Sequence, residues 1–250
     1  MIDTKMIDGL AVLTLQHGKV NALDTEFCEA LAARFAELRT SDAKAVVITG
    51  QGKAFSAGVD LIRLSKGGAD YIRQFLPALN KLCDAAFFHP KPVVAAVNGH
   101  AIAGGAVLAA CADRRIMARG TGRIGVTELL VGLPFPSLAF EAVRATIPMR
   151  YLAEVVYSGA TYEPDAALQR GWVDELAEPS ELIEDAVAVA KELGALSPAA
   201  FAHTKARVRQ PAADYHARFG QATDKAATEI WCAPATLDYI RAYVARTLNK

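Results

Sequence analysis

The chain lacks the marks of several large protein classes. Its 250 residues include only four cysteines, Cys28, Cys83, Cys111 and Cys232, with no Cys-x-x-Cys pair and no histidine at ligand spacing. Neither a disulfide framework nor a zinc site is supported. Cys28, Cys83 and Cys111 fall in helix-like runs, which predicts buried reduced thiols and a cytoplasmic setting. An excess of one charge is missing too, because 27 Lys+Arg balance 27 Asp+Glu. No net field therefore favours nucleic acid or an anionic membrane, although a local basic pocket for one phosphorylated ligand stays compatible. The start, Met1-Ile2-Asp3-Thr4-Lys5, lacks the basic-then-apolar order of a signal peptide. No Gly-x-Ser-x-Gly elbow occurs, and His17, His89, His100, His203 and His216 show no pairing pattern. Serine hydrolase chemistry loses its usual anchor.

Two phosphate-loop signatures also fall short. Gly50-Gln51-Gly52-Lys53 has the wrong spacing and is followed by Ala54. Gly120-Thr121-Gly122-Arg123-Ile124-Gly125 has dinucleotide-loop spacing, but two arginines mark the strand before it and Pro134 and Pro136 crowd the helix after it. It reads as a plain glycine-rich loop. The apolar stretch 92–112 matches a membrane span in length, about 20 residues. Asn98, Gly99, His100, Gly104 and Gly105 interrupt it. A buried strand Val93–Val97, a turn and a buried helix from Gly104 to Cys111 fit better than a membrane span.

What remains is an ordinary globular composition, 52% hydrophobic and 22% charged. Strands are predicted at Leu10–Leu15, Ala45–Gly50, Arg114–Ala118 and Val173–Leu176. A helix is predicted from Asp24, a cap candidate, to Leu38, and another is marked by Phe75, Leu76, Leu79, Leu82 and Cys83. From Pro179 onward strand signals stop, and helices are expected at Leu182–Leu193, Pro198–Val208, Ala213–Trp231 and Pro234–Leu248. The pattern is α/β: repeated strand–strand–helix units and then an all-helical tail. That tail carries Phe201, Phe219, Ile230, Trp231, Tyr239 and Tyr243, which must be buried on the core or on another subunit.

Two small-residue turns carry the chemistry. Phe55-Ser56-Ala57-Gly58-Val59-Asp60 and Ala101-Ile102-Ala103-Gly104-Gly105-Ala106-Val107 each follow a strand-like run and precede helix-like sequence. Such turns leave backbone N–H groups bare, and two converging on one oxygen form an oxyanion hole. Together and in this order they resemble the paired signature of the enoyl-CoA hydratase/isomerase (crotonase) superfamily. Lys19-Val20-Asn21-Ala22-Leu23 is similar to that family's first ligand-binding turn. The resemblance runs from Leu13 to about Leu176.

The resemblance implies a crotonase-like spiral of repeated β-β-α units over 1–192, and a C-terminal α-helical trimerisation region over 193–250. It implies a homotrimer or dimer of trimers acting on an acyl-CoA substrate, with no separate cofactor and no metal. The backbone N–H groups matching Val59 and Gly104 would hold the thioester oxygen. Adenine and pantetheine contacts would fall on Lys19, Val20, Ala22, Ala54, Ser56, Ala57, Asp60 and Leu61. One branch of the family binds RNA through a lysine-rich helix. Here 24–38 has the single cation Arg34 against Asp24, Glu26, Glu29 and Glu37, which argues against nucleic acid.

Reaction type rests on the acids. Hydratases of the family place one glutamate after the second glycine turn and one in the next segment. Here the first position is Val107, which neither accepts a proton nor holds water. The second matches Glu128 in an apolar run, where a pocket would raise its pKa toward a value suited to proton transfer. The run Ile124-Gly125-Val126-Thr127-Glu128-Leu129-Leu130-Val131-Gly132 looks more like the Δ3,Δ2-enoyl-CoA isomerases than the hydratases. The expected activity is therefore a double-bond shift from C3 to C2 with Glu128 as base. Hydration, using Glu128 alone or with Glu141 or Asp60, is the alternative, and a non-catalytic CoA- or RNA-binding role is a third.

Overall fold

Short β-branched runs bounded by glycine, proline and acidic residues build two sheets, and the helices between them cover both faces. The structure, a computed structural model, describes residues 1–247. The elements run β1 (Ile2–Ile7), β2 (Leu10–Leu15), α1 (Thr25–Thr40), β3 (Val46–Gly50), β4 (Ala54–Ser56), α2 (Leu61–Phe87), β5 (Val93–Val97), β6 (His100–Ile102) and α3 (Gly104–Ala110). Then come β7 (Arg114–Ala118), β8 (Ile124–Gly125), a 3-10 turn (Glu128–Val131), α4 (Ser137–Thr146), α5 (Met149–Ser158) and α6 (Pro164–Arg170). Last are β9 (Glu175–Ala177), α7 (Leu182–Gly194), α8 (Pro198–Trp231) and α9 (Pro234–Thr247).

The larger sheet has the order β1-β2-β3-β5-β7-β9, parallel except for the antiparallel β1–β2 hairpin, and β4-β6-β8 form a parallel second sheet. The three pairs β3–β4, β5–β6 and β7–β8 each lay one strand in each sheet before the chain turns into a helix. This is the β-β-α spiral expected from the sequence, followed by helices. The inner strands β2, β3, β5 and β7 of the large sheet are buried on both sides, as a covered parallel sheet requires. Leu13, Leu15, Ile48, Ala95 and Val97 face the cluster built with Phe27, Phe35 and Phe75. Leu10, Val12, Val47, Val94 and Ile116 face Ala186 and Ala190 of α7.

Strands β2, β5 and β7 coincide with the expected ones, and Asp24 caps α1 by accepting the Phe27 N–H at 2.8 Å. The expected strand at Val173–Leu176 is displaced to Glu175–Ala177, because Asp174 is drawn into bonds with Arg115. β1 and the two- and three-residue strands of the second sheet lie below what periodicity detects. The helices expected at Pro198–Val208 and Ala213–Trp231 are one continuous α8. Pro211 removes one backbone donor there, and burial of Arg209 and Ala212 on either side carries the helix through. Leu248, the expected end of the last helix, lies outside the described residues. α8 packs on α4 and α2, and α9 on α2 and the 3-10 turn, so the tail buries much of its apolar face on its own core. Cys28, Cys83 and Cys111 are buried free thiols. Among the described residues no helix is long and apolar enough to cross a membrane.

Candidate active site

The first turn is held by the segment before α1. Leu23 bridges to Val59: its N–H donates to Gly58 O at 2.7 Å and its carbonyl accepts the Asp60 N–H at 2.9 Å. Backbone groups alternate in direction along an extended chain. The N–H of Val59, between those two bonds, therefore points away from Leu23. Gly58 has φ +79°, and a side chain there would stand 2.5 Å from the Ile102 carbonyl and 2.9 Å from the Gly104 nitrogen. Only glycine fits where the two turns meet.

Ser56 and Ala54 support this arrangement from behind. The Ser56 hydroxyl donates to Asn21 O at 2.7 Å and accepts the Gly58 N–H at 3.2 Å. The Asn21 amide donates to Ala54 O and Phe55 O, both at 3.1 Å. Both Ala54 and Ser56 are buried, and neither lines the cavity described below.

The second turn ends β6 on a strained residue. Ala103 has φ +51°, although it carries a side chain, and its N–H donates to Gly125 O at 2.8 Å. Its carbonyl accepts the Val107 N–H at 3.0 Å and so starts α3. The N–H of Gly104 is then one of the unpaired donors of a helix start. A side chain at Gly105 would stand 2.2 Å from Ser56 O, which packs the two turns together. At Gly104 the nearest obstacle is a flexible one, Leu23 Cδ1 at 2.9 Å. The space in front of Gly104 is the cavity itself.

That cavity, of about 760 Å³, is mostly apolar and brings the two turns and Glu128 together. Val59, Gly104, Val107 and Glu128 all line it. So do Lys19, Val20 and Ala22 from the first segment and Ala57, Asp60 and Leu61 from the first turn. α2 bends at Gly68, where φ is +60° and ψ −152°, so Leu61 and Ile62 on one arm and Leu79 on the other reach the same wall. Trp231 and Tyr243, from the helical tail, close the cavity and were not expected there. The Trp231 indole N–H donates to Pro134 O at 2.8 Å. The signal available was the large aromatic content of a tail with no strand partner; which surface it covers is set by tertiary packing.

Glu128 begins the 3-10 turn and is 8% exposed. Its backbone is fixed by the Leu133 N–H, which donates to Glu128 O at 3.0 Å. Its Oε2 has no hydrogen-bond partner among the described residues. Burial pushes the carboxyl up to about 7, opposed in part by its own N–H and that of Thr127. A carboxyl there exchanges a proton near neutral pH. Val107, 2% exposed, adds no polar atom. Of the other acids considered, Glu141 is buried in α4 against Arg144 and does not line the cavity. Asp60 does line it, and its Oδ1 caps α2 by accepting the Arg63 N–H at 2.9 Å.

A sequence profile described as Enoyl-CoA hydratase/isomerase matches residues 5–230. The chain belongs to the enoyl-CoA hydratase/isomerase family. A Thermus thermophilus protein named as a candidate enoyl-CoA hydratase is 36% identical over 165 residues, which span 65% of this chain and 64% of that protein. The crystal structure of the probable enoyl-CoA hydratase EchA3 of Mycobacterium tuberculosis is 31% identical, with a TM-score of 0.80, covering 99% of this chain and 98% of that one. A second structure of that same protein is described as an enoyl-CoA isomerase. Human mitochondrial Δ3-Δ2-enoyl-CoA isomerase shares the fold with a TM-score of 0.92 at 24% identity, covering 98% of this chain and 97% of that one. The family is thus secure, and names within it divide between hydratase and isomerase.

Proposed function

We propose that this chain is an enoyl-CoA isomerase that shifts a double bond from C3 to C2 of an acyl-CoA. One observation carries the reading: Glu128 brings to the cavity a carboxylate whose Oε2 has no hydrogen-bond partner among the described residues, while Val107 supplies no second acid. A thioester acidifies its α-carbon, and the negative oxygen of the enolate needs donors. The N–H groups of Val59 and Gly104 serve that oxygen, each such donor lowering the barrier by about 3–4 kcal/mol. Glu128 takes the proton from C2, and the electron pair left there delocalises into the thioester carbonyl on one side and over C3=C4 on the other, as a dienolate. The same carboxyl returns the proton to C4, and the double bond settles between C2 and C3. Atoms balance without a water molecule or an electron acceptor. Lys19, Val20, Ala22, Ala57, Asp60 and Leu61 hold the CoA portion, with Ala54 and Ser56 acting by fixing their backbone. The helical region assembles trimers through side chains that its packing leaves open, such as Tyr215 and Phe219.

The hydratase names among the relatives favour the second reading, in which Glu128 activates water. Side-by-side assays on 3-enoyl-CoA and 2-enoyl-CoA of equal chain length separate the two. The expected result is fast isomerisation and slow hydration. Hydration outpacing isomerisation sinks the isomerase reading.

A further inference from the structure

A second cavity, of about 320 Å³, shares no residue with the first. It lies between the start of β7, the end of α4 and the first half of α8. Its charged lining is one-sided: Arg114, Arg115, Lys205 and Arg209 against the single acid Asp113. Arg114 and Arg115 are balanced from outside the cavity, by Glu175 and Asp174. Lys205 and Arg209 are left to share Asp113, at 2.6 Å to Oδ2 and 2.7 Å to Oδ1.

Both of these cations are buried, 8% and 7% exposed. Two buried cations on one carboxylate leave a positive charge without a counter-charge, which a protein interior does not favour. Lys205 registers this: burial pushes its ammonium down to about 8, with Arg209 adding to the effect and Asp113 opposing it. Arg209 Nη1 and Arg115 Nε have no hydrogen-bond partner among the described residues. Beside this charged corner the wall is apolar, formed by Phe87, Leu193, Phe201 and Val208.

We propose that this cavity is a binding site for a small organic carboxylate, separate from the thioester site. The carboxylate group supplies the missing negative charge to Lys205 and Arg209, and its apolar body lies along Phe201, Leu193 and Val208. The volume falls at the lower end of ligand pockets, about 300–1,000 Å³, which suits a short chain.

Calorimetric titration with octanoate, octanamide and inorganic phosphate tests the assignment. Octanoate should bind at least about tenfold more tightly than octanamide, which keeps the body and lacks the charge. In Arg209→Met octanoate binding should weaken by about tenfold or more. Val208→Trp narrows the same cavity from a position 75% exposed, where a larger side chain leaves the core untouched, and should weaken it likewise. That variant decides the matter if Arg209→Met does not fold. Octanoate affinity unchanged in Val208→Trp, as binding in the thioester cavity alone would give, overturns the proposal. So does octanamide equalling octanoate. Phosphate binding more tightly than octanoate would reassign the site to inorganic oxyanions and overturn the organic ligand class.

Discussion

Two regions of this molecule bury charge, and they do so in opposite ways. Glu128 stands in an apolar cavity with one carboxylate oxygen unpartnered. Asp113, by contrast, is saturated: its Oδ2 accepts from Lys205 and from the Val93 N–H at 2.8 Å, and its Oδ1 accepts from Arg209. The lone acid has its pKa raised into the range where protons move at neutral pH. The networked acid ties α8 to the starts of β5 and β7. Burial alone therefore does not mark a candidate for proton transfer; a buried carboxyl with a pKa near neutral, facing a cavity with an oxygen unpartnered, is one.

The largest expected effect breaks the first region. Glu128→Gln keeps the shape and removes the base, so kcat for isomerisation should fall by about 10²–10⁴-fold. Binding of a CoA thioester, read by calorimetry, should change little. In the wild type kcat/KM should fall as pH drops through about 7, because the protonated carboxyl cannot accept the C2 proton. Wild-type turnover in Glu128→Gln would remove Glu128 from the mechanism.

The second region breaks through stability instead. Asp113→Ala leaves Lys205 and Arg209 buried without a counter-charge and the Val93 N–H without an acceptor. Unfolding free energy, measured by urea titration, should drop by about 3–5 kcal/mol. A loss below about 1 kcal/mol would mean that the network is solvated and the contrast between the regions is false.

The two regions also differed in how visible they were in the sequence. Glu128 and the candidate backbone donors at Val59 and Gly104 were legible through the family resemblance, which rests on local signals: the two glycine turns and the apolar run around Glu128. Strands β2 and β5 were legible from local signals as well, as nearly continuous apolar runs, and β7 by its apolar end Ile116-Met117-Ala118. Asp113, Lys205 and Arg209 were not, since about ninety residues of chain separate the acid from its cations and only the docking of α8 joins them. Trp231 and Tyr243 at the cavity belong with this second group. Ala54 and Ser56 sit between the two cases. Their place beside the ligand turn follows from motif position, and their burial behind it follows from the Asn21 hydrogen bonds, which no local pattern encodes.

A third measurement sharpens the contrast through pH. The folded-state pKa of Glu128 lies above its ordinary value of 4.5, at about 7. The native state thus holds a proton that the unfolded chain has released, and stability falls as pH rises from about 4.5 to about 7. Glu128→Gln, which never ionises, should be more stable than wild type at pH 8 by on the order of 3 kcal/mol. The difference should vanish at pH 4. Chemical denaturation at the two pH values reads it directly. Equal stability at both would place the Glu128 carboxylate in contact with water or a cation.

The smallest expected effect concerns Val59. Its proposed contribution is its N–H, fixed by the flanking bonds of Gly58 and Asp60 to Leu23, and its side chain is only half-buried against the core. Val59→Ala should therefore leave kcat within about threefold of wild type, because the donor survives and the turn is held by its neighbours. Gly58→Ala gives the counter-case, since it forces a side chain against the Ile102 carbonyl and displaces both donors at once. A large kcat loss in Val59→Ala with unchanged stability would show that the valine side chain, not the backbone, shapes the transition state. Near-wild-type turnover beside an inactive Gly58→Ala would locate catalysis in the backbone that glycine makes possible.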